Sequence, residues 1–136
     1  MIKRIIVILV LAFFLASRRF LAGGRDLTAN LAEAAAAALG RLRSLKAVAA
    51  LLAHVDDPDA TVRRAAIAAL GESRDARAAP RLVTALADPA LQASALEALR
   101  RLGTMALPEM ERALASGETG PDLRKLLVDL AGPKDD

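Results

Sequence analysis

The chain has 136 residues, no cysteine, tryptophan or tyrosine, one histidine and a formal charge of +3. The missing cysteine excludes disulfides, thiolate metal sites and a lipid anchor built on cysteine. The charge is unevenly placed: residues 1–25 carry Lys3, Arg4, Arg18, Arg19 and Arg25 with no acid, whereas residues 27–136 carry 14 basic and 15 acidic side chains. A near-neutral body without aromatic side chains lacks both the basic excess and the stacking platforms that nucleic-acid binding uses, so no nucleic-acid partner is expected.

Met1-Ile-Lys-Arg precedes an unbroken apolar run from Ile5 to Ala16. A positive start followed by such a run is the pattern of an export signal, whose apolar region spans about 7–15 residues. As a straight helix the run rises about 18 Å, short of a hydrocarbon core of about 30 Å. Extending it to Ala22 draws in Arg18 and Arg19, whose side chains would have to snorkel to the headgroups. A cleavage site is poorly marked, since Phe20 precedes the small residues Ala22-Gly23-Gly24. The segment therefore reads as an uncleaved membrane tether, a cleaved export signal or a buried helix. Its expected membrane contacts are Ile5, Ile6, Leu9, Phe13, Phe14 and Phe20, within a membrane segment of residues 1–22. Basic residues flank both ends, so orientation stays open. The implied organisation is a signal or anchor segment with a glycine linker at 1–24 and a folded domain at 25–136. The protein is expected to be membrane-associated or exported, on an undecided side.

Beyond the linker the chain repeats. Ala-Leu-Gly ends at Gly40 and Gly71, Arg-Leu-Gly at Gly103 and Leu-Ala-Gly at Gly132; Asp-Pro occurs at Asp57-Pro58 and Asp88-Pro89, with Gly120-Pro121 in the equivalent place later. An aspartate before proline reads as a helix start, the carboxylate capping free N–H groups and proline taking the first helical position. A glycine after leucine reads as a helix stop in the left-handed conformation.

Between these marks lie seven predicted amphipathic helices. The first covers about 27–39. The second, about 44–55, places Leu45, Val48, Leu52 and Val55 on one face. The third, about 58–70, turns Val62, Ala66, Ala69 and Leu70 inward. The fourth, about 76–87, uses Leu82, Val83 and Leu86. The fifth, about 89–102, uses Leu91, Ala95, Leu99 and Leu102. The sixth, about 105–115, uses Leu107, Met110 and Leu114, and the seventh, about 121–131, uses Leu123, Leu127 and Leu130. Short links make neighbours antiparallel. No stretch alternates with period two, so no strand is expected. The fold class is all-α: a short α-solenoid of antiparallel helix pairs sharing one core, preceded by an apolar N-terminal helix.

The segment DPDATVRRAAIAALGESRDARAAPRLVTALADP, residues 57–89, resembles the short HEAT-like repeats first named for phycobilisome lyases. The residues that carry the resemblance are Asp57-Pro58, Val62-Arg63, Ala65 to Gly71 and Pro80. A looser likeness extends over residues 27–132. The resemblance implies a HEAT-like superhelix that binds another protein. It also implies a ladder of aspartate and arginine side chains between units, but only Asp57 and Arg63 supply both partners, because Ala90-Leu91-Gln92-Ala93-Ser94 follows the second Asp-Pro.

Chemistry is sparse. His54 beside Asp56 has the elements of a metal ligand or base, but also those of a histidine at a helix C-terminus, stabilised by the dipole. The acidic groups at Asp56-Asp57-x-Asp59 and Glu109-x-Glu111 lack the spacing of a calcium loop and read as caps. No catalytic residue, cofactor, metal or small-molecule substrate is expected. Arg63, Arg64, Glu97, Arg100, Arg101 and Arg124 fall on the helices that, in the resembled family, line the concave side, and are the candidate partner-binding residues; the competing reading is a solvated polar face. The expected function is a membrane-tethered or exported protein–protein interaction module and not an enzyme. The alternative is a small accessory subunit of a membrane complex. A pigment lyase or chaperone would need an aromatic wall for a flat ligand, which the repeats lack.

Overall fold

A computed structural model describes residues 2–17, 25–117 and 120–132, with side-chain surroundings outside 13–32. Among the described residues there are helices and no strand. They are α1 (Ile2–Ser17), α2 (Arg25–Leu42), α3 (Leu45–Ala53), α4 (Ala60–Ser73), α5 (Ala79–Ala85), α6 (Gln92–Leu102), α7 (Leu107–Ser116) and α8 (Pro121–Ala131). Short 3₁₀ turns at Ala76–Ala78 and Gly103–Ala106 lead into α5 and α7. The all-α class and the order of the seven predicted helices are as expected from the sequence.

Two of the helices, α3 and α4, start where a side chain takes up a free N–H group. Ser44 caps α3, its Oγ accepting from Ala47 N–H at 3.1 Å. Asp59 caps α4, accepting from Thr61 N–H at 2.8 Å. Asp75 opens the turn before α5 by accepting from Arg77 N–H at 3.0 Å. The Arg77 guanidinium, hydrogen-bonded to Asp75, holds that carboxyl below its ordinary range. Pro80, Pro108 and Pro121 sit in the first turns of α5, α7 and α8, where the missing N–H leaves no bond unmade.

Two sequence signals have a different meaning from the one expected. The Asp-Pro pairs lie in the turns before the helices and do not form the starts themselves. Asp57 accepts from Asp59 N–H at 2.9 Å and Asp88 from Ala90 N–H at 2.9 Å, so each closes a tight turn, and the helix begins at Ala60 and Gln92 respectively. Likewise Gly40 and Gly71 are not helix stops. Both lie inside helices, and the left-handed residues that end α2 and α4 are Arg43 (φ 46°) and Arg74 (φ 49°). Gly103, Gly117 and Gly132 do take positive φ at helix ends.

The two internal glycines are crossing points. A Cβ on Gly40 would lie 2.5 Å from the carbonyl oxygen of Ala69, and one on Gly71 would lie 2.7 Å from Cα of Ala98. Backbones meet there, so α2, α4 and α6 form one closely spaced row, continued by α8. Against this row lie α3, on α2 and α4; α5, on α6 and α7; and α7, on α8. The core between them contains Leu39, Leu51, Ile67, Leu70, Leu82, Leu99, Met110 and Leu123, all fully buried. In α3 the buried face is Ala47, Val48 and Leu51, with Val55 buried in the turn that follows; Leu45, expected inside, is 67% exposed, and Leu52 is half-buried. At about 100° per residue, Leu45 lies to the side of the face that Ala47, Val48 and Leu51 share. α1 packs on α2 and α3 and so extends the stack at its N-terminal end.

Gly71→Ala is expected to destabilise the fold by about 1–3 kcal/mol through overpacking, against an intrinsic helix gain of about 1 kcal/mol for alanine over glycine. Gly120→Ala, whose Cβ would meet nothing within 4 Å, removes only the glycine N-cap of α8 and should cost about 1 kcal/mol or less. Urea denaturation followed by circular dichroism measures both.

Candidate partner-binding surface

The outer side of the α2–α4–α6 row carries a shallow groove. Its floor is alanine because the helices are spaced for alanine and glycine, and no long side chain rises between them. One depression of about 370 Å³ has Ala37, Ala65, Ala68 and Ala69 in its lining, with Glu33, Thr61, Arg64, Glu72 and Ser94 around them. A second of about 310 Å³ is lined by Ala68, Ala93, Ser94, Glu97, Ala98 and Arg101. The two share Ala68 and Ser94 and together cross all three helices. On α4 the lining positions 61, 64, 65, 68 and 72 follow the three- and four-residue steps of one helical stripe. That stripe lies beside the buried stripe of Val62, Ala66, Ala69 and Leu70.

The structure divides the predicted candidates. Arg64, Glu97 and Arg101 line the groove. Arg101 is engaged there: its Nη1 donates to Glu72 on α4 at 3.1 Å and its Nε to Glu97 at 3.2 Å. Arg100 lines neither depression and lies 3.6 Å from Glu97. Arg124 is exposed on α8, outside the groove. Arg63 belongs to the opposite edge. Its Nη1 donates to the backbone carbonyls of Asp57 and Pro58 at 2.9 and 3.2 Å, and its Nε is buried without a partner among the described residues. Arg63 therefore clamps the α3–α4 turn.

Glu33, Glu72 and Ser94 complete the groove and were not singled out from the sequence. The readable signal was the stripe on α4; what it lacked was the neighbour on either side. With Glu33, Glu72 and Glu97 against Arg64 and Arg101, the lining has one more carboxylate than guanidinium. An acidic partner is thus not what the groove's charge favours.

The one aspartate–arginine pair that the sequence could offer to a ladder stays within its own unit. Asp57 meets Arg63 through its backbone carbonyl, within one unit. Units are joined by the ion pair of Arg81 with Asp56 and by Arg101 with Glu72, and Gln92 Nε2 donates to Asp122 at 3.5 Å. His54 Nδ1 lies 3.4 Å from Oδ2 of the buried Asp57, so the histidine adjoins Asp57. Among the described residues no three histidine or acidic side chains are grouped to hold a metal ion.

Of the expected membrane contacts, Ile5 is 49% exposed, Ile6 is 8% exposed and turned to the body, and Leu9 packs against the core. The side chains of Phe13 and Phe14 lie outside the described ones, and Phe20 and the Gly23-Gly24 linker lie outside the described residues. No helix among the described residues is long and apolar enough to cross a membrane.

The stacked pairs, the small-residue crossings and the exposed groove have a counterpart in sequence families: the family model for HEAT repeats matches residues 21–100. The chain belongs to the HEAT-repeat family. The match runs from before α2 into α6, the span that builds the groove. HEAT repeats generally act as protein-interaction scaffolds. No curated protein matches the chain.

Asp57→Ala should cost about 1–2 kcal/mol, because the part-buried Asp59 N–H of the α3–α4 turn loses its acceptor. Arg101→Ala removes only exposed ion pairs and should change stability by less than about 1 kcal/mol. Thermal or urea melts of the two variants separate the turn from the groove rim.

Proposed function

We propose that this HEAT-repeat chain is a protein-interaction module held at a membrane, and that it works without catalysis or a cofactor. The observation that carries the interaction reading is the continuous alanine-floored groove across α2, α4 and α6. A floor of methyl groups leaves room for the side chains of an incoming segment, and the surplus carboxylate on its rim favours a segment bearing basic residues. Repeat stacks use such extended surfaces for docking.

The chain contains no cysteine, so Ala68→Cys supplies a unique attachment point for a photocrosslinker at the centre of the groove. A discrete protein adduct is expected from that position and not from Val128→Cys on α8. Loss of the adduct on substituting Ser94→Arg in the same chain, with unchanged circular dichroism, places the partner in the groove. Equal labelling from both positions, or none from either, removes the reading.

Membrane attachment is supported by the exposed aliphatic side chains of α1, Ile2, Ile5, Val7, Ile8 and Leu11, together with the basic residues that accompany them. The alternative is a permanent accessory subunit of a membrane complex, which predicts co-purification in detergent at fixed stoichiometry. Fractionation with N-terminal sequencing of the mature protein tests the attachment: the intact N-terminus in the membrane fraction is expected. A soluble product lacking residues 1–23 would instead identify an export signal.

A further inference from the structure

α1 is apolar on two opposite sides. On one side Ile6 is 8% exposed, and Leu9 and Val10 pack against the core. On the other, Arg4, Val7, Ile8 and Leu11 follow one helical stripe in three- and four-residue steps. Val7 and Ile8 are each 64% exposed and Leu11 is 53% exposed, and Lys3 and Arg4 are exposed as well. An amphipathic surface helix turns its polar side to water. In α1 the repeat body occupies one side, and the side facing away from it is aliphatic and basic.

We propose that α1 lies flat in an anionic lipid surface while its other side stays seated on α2 and α3. The Val7–Ile8–Leu11 stripe enters the acyl region, and Lys3 and Arg4 meet headgroup phosphates. The proposal rests on the membrane reading above and specifies how the membrane is held. Three observations favour it over a spanning helix or a protein partner. The described residues of α1 rise about 24 Å, less than the hydrocarbon core of about 30 Å, and the sequence beyond them continues with the charged pair Arg18-Arg19. Spanning would also withdraw Ile6, Leu9 and Val10 from the body, exchanging packed protein contacts for lipid with no hydrophobic gain, since lipid tails are as apolar as the side chains they would replace. Lying flat covers every apolar side at once. Finally, residues 1–25 contain no acid, so a second copy on the same stripe would bring basic residues together with no carboxylate in that segment to pair with them, whereas anionic headgroups supply the complementary charge.

The chain has neither tryptophan nor tyrosine, so Ile8→Trp and Leu11→Trp in the full-length protein give clean fluorescence probes. Each variant is mixed with vesicles of phosphatidylcholine alone or of phosphatidylcholine and phosphatidylglycerol in equal parts. The expected result is a blue shift with the anionic vesicles, quenched more by lipids brominated near the headgroup than by lipids brominated near the chain end. Lys3→Gln combined with Arg4→Gln should weaken the partition roughly thirtyfold. Equal partition into both vesicle types would overturn the anionic requirement. Strongest quenching from the bilayer centre would overturn the flat orientation while leaving membrane attachment intact. Absence of partition into either vesicle overturns the proposal and the membrane reading together, and a dimer in sedimentation under those conditions would assign the stripe to a second copy.

Discussion

The close approach of α2, α4 and α6 is the constraint on which the remainder of the structure depends. It is made at two places, where Gly40 faces the carbonyl of Ala69 and Gly71 faces Cα of Ala98. Any side chain at either glycine would collide with backbone, which cannot move aside as a flexible side chain can. Glycine is intrinsically poor in a helix interior, by about 1 kcal/mol relative to alanine, so its presence at the same place in successive units has to be offset by packing. The approach supplies that packing, bringing Ala36, Leu39, Ala66, Ala69, Leu70, Ala95, Ala98 and Leu99 into one core.

The same constraint produces the groove. Helices spaced for alanine and glycine on their facing sides leave methyl groups at the bottom of the cleft between them. The longer side chains, Glu33, Arg64, Glu72, Glu97 and Arg101, stand at its edges. Core and docking surface are thus two sides of one spacing. The turns on the other edge work differently. There Asp57, Asp59 and Arg63 satisfy backbone groups and hold the α3–α4 connection. Two adjacent arginines, Arg63 and Arg64, consequently have unrelated roles, one clamping a turn and the other facing the groove.

At the N-terminal end, α1 solves a problem common to repeat stacks, in which the outermost unit has no neighbour to cover its apolar face. Ile6, Leu9 and Val10 provide that cover. A helix recruited for this purpose would ordinarily be polar on its far side. On the proposed reading, the aliphatic and basic far side lets this one element both cap the core and meet lipid.

The sequence by itself determined the all-α class, the order of the seven helices after residue 24 and part of the core, including Val62, Ala66, Ala69, Leu70, Leu91, Ala95, Leu99 and Leu102. These follow from periodicity and capping, which act over three or four residues. It also located the basic excess at the N-terminus. Only the tertiary structure decided what Gly40 and Gly71 do, since a glycine that ends a helix and one that admits a neighbouring backbone carry the same letter. Only the tertiary structure decided that Leu51 and not Leu45 enters the core, that Arg63 and Arg64 part company, and that Glu33, Glu72 and Ser94 share one groove. Those outcomes depend on which helix lies opposite, and contacts between residues some 30 positions apart leave no mark in local spacing.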